Sequence, residues 1–413
     1  MKKVLIKGPF LSSSGYGEHA RFVLRALMTM PNEFNIYLHN TPWGATSWVS
    51  EETEERKLID SLIQKTLTHF NNPSSNKEID ISLQVTVPHE WEKIAKVNIG
   101  VTAGTETNKI SPMWVKKSLL MDKIIVVSEH SKSSIVNTVY DGVNNDTGEK
   151  VQIGVTTPVE VVGFPVKNIN EEKIDLDFEH DFNFLVVATW IPRKNLENTI
   201  KWFVQEFKDK EVGLVLKTNT AKLSLRDREH TKRRLEQILS QFENRKCSIY
   251  LLHGEIPESQ MVSLYKHPKI KCLLSLSHGE GFGLPLFEAA CNGLPIITPA
   301  WGGPKDYLYV EAKGKKTPMF TSVAHDLKPI QPEAVWDHVL IRDSQWCFPQ
   351  EWSVRKGMKK VVKDYDNCLS KAKKLKEWTI KNFDEAIQCK KMCISVLGYE
   401  PEEEFESGLE LSE

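Results

Sequence analysis

Short apolar runs alternate along the chain with longer stretches in which apolar residues recur at helical spacing. That alternation is the signature of βαβ units built on a parallel sheet. In the first part of the chain it predicts strands over 3–6, 35–39, 79–85, 97–102 and 123–127, with a further one at Ile153 or over 159–162. A helix is predicted from Gly17 to Met30, with Phe22, Leu24, Ala26 and Leu27 on its apolar face. Residues 50–76 are polar and read as a helix followed by a loop through 71–75. The acidic segment 167–181 (KNINEEKIDLDFEHD) is poor in core residues and breaks the pattern, as a linker does. A second series then predicts strands over 183–188, 212–217, 248–252, 270–276 and 295–298. Helices are predicted around 196–207, 226–242, 258–265 and 285–292, and 352–397 is mostly helical. Residues 400–413 form an acidic tail with little to bury.

The expected class is therefore α/β, with two Rossmann-like domains facing across a cleft lined by strand C-termini, where open α/β sheets bind ligands. The expected boundaries are an N-terminal domain over 1–166, the linker 167–181, a C-terminal domain over 182–370, and 371–413 as a helix returning to the first domain plus the tail. A chain of 413 residues is long enough for each domain to have its own core.

Composition removes several function classes. Lys and Arg total 54 against 55 for Asp and Glu, so there is no basic footprint for nucleic acid. The seven cysteines are scattered. Cys272 and Cys291 sit in apolar runs, and Cys389 and Cys393 have no second ligand pair beside them. This is the usage of a reducing, cytoplasmic protein without structural zinc. The start, MKKVLIKGPF, reads as a first strand rather than a signal peptide. No stretch approaches a membrane span. Peripheral contact through Trp114–Lys117 is left open.

The densest chemistry lies in Glu280–Glu288 (EGFGLPLFE), where a strand hands over to a helix. Pro285 suits the first turn of that helix and Gly293 its end. Gly281 and Gly283 let bare N–H groups approach a ligand at the helix start, a natural anion seat. Carboxylates beside such a seat suit hydroxyl donors on a ribose or hexose. A plain cap with a solvated acid explains less of the pattern. Arg193 and Lys194 follow the first strand of the second series and can neutralise a diphosphate. Lys217, at the end of the next strand, could add a third cation, and His253-Gly254 could offer backbone groups to a nucleobase. His253 and His278 are otherwise structural. The loop at Gly15 and Gly17 reads as a glycine-rich lip able to close over a sugar or phosphate, with a simple N-cap as the competing reading. Asp175-Leu176-Asp177 falls in the linker and Asp364-Tyr365-Asp366 in a lysine-rich helix, so no metal site is expected.

The string Ser275–Leu308, with its two glutamates eight positions apart, resembles the retaining family 4 glycosyltransferases of the GT-B fold. The likeness extends to Pro192–Asn195 and His253-Gly254, and more loosely to the Gly15/Gly17 loop. It implies a nucleotide-sugar donor on the C-terminal domain, and on the N-terminal one a glycan, lipid-linked or protein-linked acceptor. Glu280 would contact donor-sugar hydroxyls and Glu288 the ribose diol. Lys194, supported by Arg193, would neutralise the diphosphate, and the amides of Gly281, Phe282, Gly283 and Leu284 would face the sugar or diphosphate. Lys217, Gly254 and Thr189 complete the expected donor side, with no cofactor. The chain departs from the family at Thr189, where Arg is frequent, and at Thr102–Glu106, where many members carry His after a strand. Glu106 and His89 are then the acceptor-side candidates. Trp43, Trp48 and Trp114 are either sugar platforms or core. A nucleotide-sugar epimerase, a phosphorylase of the same fold and a non-catalytic nucleotide-sugar-binding protein are the alternatives.

Overall fold

Aliphatic and β-branched runs build two separate six-stranded parallel sheets in the computed structural model, which describes residues 1–44, 46–143 and 146–400. Beyond Glu400 the acidic tail lies outside the described residues. The chain divides into two units. Unit 1 comprises Met1–Pro165, Val335–Ser344 and the segment from Phe383 onward; unit 2 comprises Val166–Ala334 and Gln345–Asn382.

Unit 1 runs β1 (Lys2–Gly8), α1 (Gly15–Met28), β2 (Phe34–Asn40), α2 (Glu54–Asn71), β3 (Ile81–Val85), β4 (Val97–Thr102), α3 (Pro112–Ser118), β5 (Lys123–Val126) and α4 (Glu129–Val136). An antiparallel hairpin, β6 (Val139–Val143) and β7 (Lys150–Gly154), follows, and β8 (Val159–Val161) closes the sheet. The order is β2-β1-β3-β4-β5-β8, so the switch point lies between β1 and β3. The candidate strand at Ile153 falls in β7, but its partner β6 was not expected: the hairpin's side chains are half-buried or exposed and show no apolar run.

Unit 2 runs β9 (Asn183–Thr189), α5 (Leu196–Phe207), β10 (Gly213–Asn219), α6 (Leu225–Leu239), β11 (Ser248–Leu252), α7 (Glu258–Lys266), β12 (Ile270–Leu274), α8 (Leu284–Asn292) and β13 (Ile296–Pro299). Short strands β14 (Tyr309–Ala312), β15 (Lys315–Pro318), β16 (Thr321–Val323), β17 (His325–Pro329) and β18 (Gln345–Pro349) precede α9 (Glu351–Lys363), α10 (Tyr365–Asn382) and, in unit 1, α11 (Glu385–Leu397). The sheet order is β11-β10-β9-β12-β13-β16. It is the doubly wound Rossmann order, with its switch point between β9 and β12.

The cores explain the elements. Leu196, Ile200, Phe203, Val204 and Phe207 form one stripe of α5 and meet Phe184, Leu214 and Leu216 from β9 and β10. In unit 1, Phe22, Val23, Ala26 and Leu27 of α1 pack with β1 and β3, and Cys389, Met392, Cys393 and Val396 of α11 complete that core. A charge cluster holds the same helices. Arg25 reaches Glu18 and Glu55 at 2.7 Å each and Glu385 at 3.5 Å.

Unit 2 keeps the chain as far as Asn382, beyond the 370 boundary read from the sequence, because α10 packs on α8. Segment 167–181 lies along unit 2: Phe178 is buried against Tyr250 and His267, and Lys167 pairs with Glu258. The excursion 335–344 into unit 1 has no counterpart in the sequence reading. Ser111 Oγ donates to His338 O there (2.8 Å), and Lys109 pairs with Asp343.

Candidate functional site

In unit 2 the two strands flanking the switch point deliver opposite charges to one place. After β9 the chain makes a single tight turn, Pro192–Lys194, ended by Asn195 in the left-handed region (φ 54°). Asn tolerates that conformation better than most residues, and here its Nδ2 reaches Leu276 O. After β12 the loop runs past Glu280 into α8. Arg193 Nη1 lies 3.0 Å from Glu280 Oε2, and Lys194 Nζ 2.5 Å from Oε1. All three side chains are largely buried. Burial alone would raise the Glu280 pKa, but Lys194 and then Arg193 outweigh it and hold the carboxyl at about 2.

The loop that carries Glu280 is tied down through its carbonyls. Gly279 O accepts from Arg193 (2.7 Å) and Glu280 O from Gly303 N (2.9 Å). The Tyr307 hydroxyl lies within hydrogen-bond distance of both Phe282 O and Gly283 O. Gly283 is the N-cap of α8 with φ 84°, and a Cβ there would press on Pro304 and the Tyr307 hydroxyl at 3.2 Å. Pro285 falls in the first turn and Gly293 (φ 71°) caps the end, as their types predict. The backbone of 281–284 thus opens a helix beside two cations. The Phe282 side chain is not offered to a ligand: it is buried with Phe287 and Tyr307, ring centroids about 5 Å apart, so only its backbone remains a candidate.

Glu288 lies on α8, exposed, and its Oε2 accepts from the Tyr265 hydroxyl at 2.7 Å. Lys217 lies two residues before the end of β10 and donates to Gly254 O at 2.6 Å; burial lowers its pKa. His253 Nε2 is 2.8 Å from Asp227 Oδ2. That aspartate also accepts from Thr220 N and Ala221 N, so His253 anchors its loop. Thr189 ends β9.

His278 is structural as well. Its ring stacks on Trp346 (5.4 Å, 17°), Nδ1 lies 2.7 Å from Cys347 O, and Nε2 lies 3.0 Å from Gln331 Nε2. The β17–β18 hairpin therefore braces the Glu280 loop. Tyr265, Tyr307, Asp227 and Trp346 carry no motif; only three-dimensional proximity reveals them.

Unit 1 gathers its own candidates at the C-terminal ends of its strands. Gly15 opens α1, and Ser14 Oγ accepts from Gly17 N and so caps the helix. Gly17 packs so tightly that a Cβ would sit 2.0 Å from Ser12 O. Tyr16 bonds Thr102 Oγ1 at 2.7 Å and packs against Trp43 at 4.2 Å. Burial raises the Tyr16 pKa, and Glu106 is among the charges that raise it further. His89 follows β3, has its pKa lowered mainly by burial, and lies 6.0 Å from the His338 ring. Trp114 is core, whereas Trp48 is 60% exposed.

Among the described residues no group of three or more His, Cys, Asp or Glu is placed to hold a metal, and no helix is long and apolar enough to cross a membrane.

Residues 168–314, all within unit 2, match the sequence model of the family described as "Glycosyl transferases group 1". No curated protein matches the chain. Among solved structures, sucrose-phosphate synthase from Thermosynechococcus elongatus is similar at TM-score 0.62 and 12% identity, covering 95% of this chain and 98% of that one. The Anabaena protein HepE in complex with UDP-glucose gives 0.58 and 12%, covering 96% and 100%. A glycosyltransferase from Rickettsia africae gives 0.57 and 13%, covering 96% and 98%. These likenesses show the fold: GT-B, with two Rossmann-like domains.

Proposed function

We propose that the protein is a retaining family 4 glycosyltransferase. It moves a glycosyl group from a nucleoside diphosphate sugar to a hydroxyl of a glycan, lipid-linked or protein-linked acceptor in the cytoplasm. The observation that carries this reading is the Glu280–Lys194–Arg193 cluster at the switch point of unit 2, beside a helix start.

Lys194 and Arg193 neutralise the diphosphate as the glycosidic bond breaks, and the amides of 281–284 share that charge. Glu280 accepts from donor-sugar hydroxyls. Glu288 accepts from the ribose diol, and the Lys217–Gly254 contact shapes the loop beside the base. Thr189 lines the same strand end. In unit 1, the Gly15/Gly17 turn, Glu106 and His89 belong to the acceptor side. The acceptor oxygen attacks the anomeric carbon on the face from which the diphosphate leaves, and a leaving phosphate oxygen takes the acceptor proton. No protein nucleophile is required, and positioning with charge stabilisation does the chemistry. Two protein cations supply the charge that a divalent metal would otherwise bring.

The UDP-glucose in the HepE complex makes UDP-sugars the first probes. Thermal shifts against UDP-, GDP-, ADP- and dTDP-sugars identify the donor. Proton NMR of the product should show the donor's anomeric configuration kept, with transfer unchanged in EDTA. Conversion of donor without acceptor would establish an epimerase, and binding without nucleotide release would establish a non-catalytic binder.

A further inference from the structure

Glu288 is held by a residue that no motif marks. Tyr265, near the end of α7, is 2% exposed, and its hydroxyl donates to Glu288 Oε2 at 2.7 Å. Burial first, and the Glu288 carboxylate second, push the phenol's pKa well above its ordinary value. The neighbours on this face are fixed too. Asn292 Nδ2 donates to Glu288 O at 2.9 Å, and α7 packs directly on α8.

An exposed glutamate ordinarily samples several rotamers, and ordering it costs entropy. A buried phenol bonded to one carboxylate oxygen removes most of that freedom before any ligand arrives. A carboxylate has lone-pair capacity for several donors, so accepting from Tyr265 leaves it able to accept from a ligand hydroxyl along fixed directions.

We propose that Tyr265 is the positioning residue for the donor's ribose: by orienting Glu288 it makes the site select ribonucleoside over 2′-deoxyribonucleoside diphosphates. The inference rests on the reading of unit 2 as a nucleoside diphosphate sugar site.

The test uses the full chain and calorimetric titration with UDP and 2′-deoxy-UDP, or the corresponding GDP or ADP pair if thermal shifts favour another base. The wild type should prefer the ribonucleotide by about tenfold, the scale of one hydrogen bond to a charged group. Tyr265→Phe should cut that preference to about twofold by weakening ribonucleotide binding alone. Its unchanged affinity for the deoxynucleotide also reports an intact fold. Glu288→Ala should abolish the preference, and adding Tyr265→Phe to it should change nothing further. If Tyr265→Phe weakens both nucleotides equally, or leaves the preference at its wild-type value, the hydroxyl only braces α7 against α8 and the proposal is overturned. If the wild type does not discriminate, or Glu288→Ala still does, the ribose reading of Glu288 itself fails and the proposal falls with it.

Discussion

At Glu280 two physical demands conflict: burial favours a neutral acid, while Lys194 and Arg193 favour a carboxylate. The cations win, and the acid is charged at any physiological pH. Its folded value of about 2 lies below the ordinary 4.5, so its stabilising contribution is complete above about pH 4.5 and is lost as pH falls through about 2. Glu280→Ala removes the hydroxyl acceptor but leaves both cations for the diphosphate. Steady-state kinetics should therefore show kcat reduced about 10²- to 10³-fold with donor affinity little weakened. Glu288→Ala should do the converse, raising the donor KM about tenfold at nearly constant kcat. His19 gives a second titration. It is fully buried on α1 against Phe164, with no hydrogen-bond partner for either ring nitrogen among the described residues, and burial lowers its pKa from 6.5 to about 3. Between those values the unfolded chain binds a proton that the folded chain refuses, so stability must fall as pH drops below 6.5. Urea unfolding should show His19→Leu recovering roughly 2 kcal/mol of that loss at pH 5.

Among the elements, the most legible were those whose local chemistry and burial agree. β12 is an almost continuous apolar run between buried neighbours, and α5 shows a regular stripe, so both were placed within a few residues of their structural limits. The Pro285 and Gly293 signals located α8 because each satisfies a local backbone need. The small strands β14 to β18 gave no such signal. They are three to five residues long and include the lysine-rich run at 315–316. Yet β17 and β18 brace the Glu280 loop through His278 and Trp346. The tyrosines escaped for another reason: Tyr265 and Glu288 are 23 positions apart, and Tyr307 and Phe282 are 25 apart. Spacings of that size encode no contact. Gly283→Ala tests the junction directly. A Cβ at φ 84° against Tyr307 and Pro304 should cost about 1–2 kcal/mol in thermal unfolding. It should also lower kcat/KM, because the loop carrying Glu280 must shift.

On the scale of the whole molecule, the fold class and the existence of two α/β halves were readable from alternating patterns. The middle segment of unit 1, residues 335–344, was not, because it is carried on the connection between β17 and β18 rather than marked by any pattern of its own. Unit 1 also depends on α11, whose Cys389, Met392, Cys393 and Val396 fill its core. A chain ending at Asn382 should therefore expose unit 1 to limited proteolysis at concentrations of protease that leave unit 2 intact. The same architecture bears on how the protein is made. Emerging from the ribosome, the nascent polypeptide supplies everything unit 2 needs by residue 382, whereas unit 1, begun first, waits for its closing helix until translation has passed residue 397. The half begun earliest is completed last, so during synthesis its unfinished apolar surface is the one that chaperones would meet.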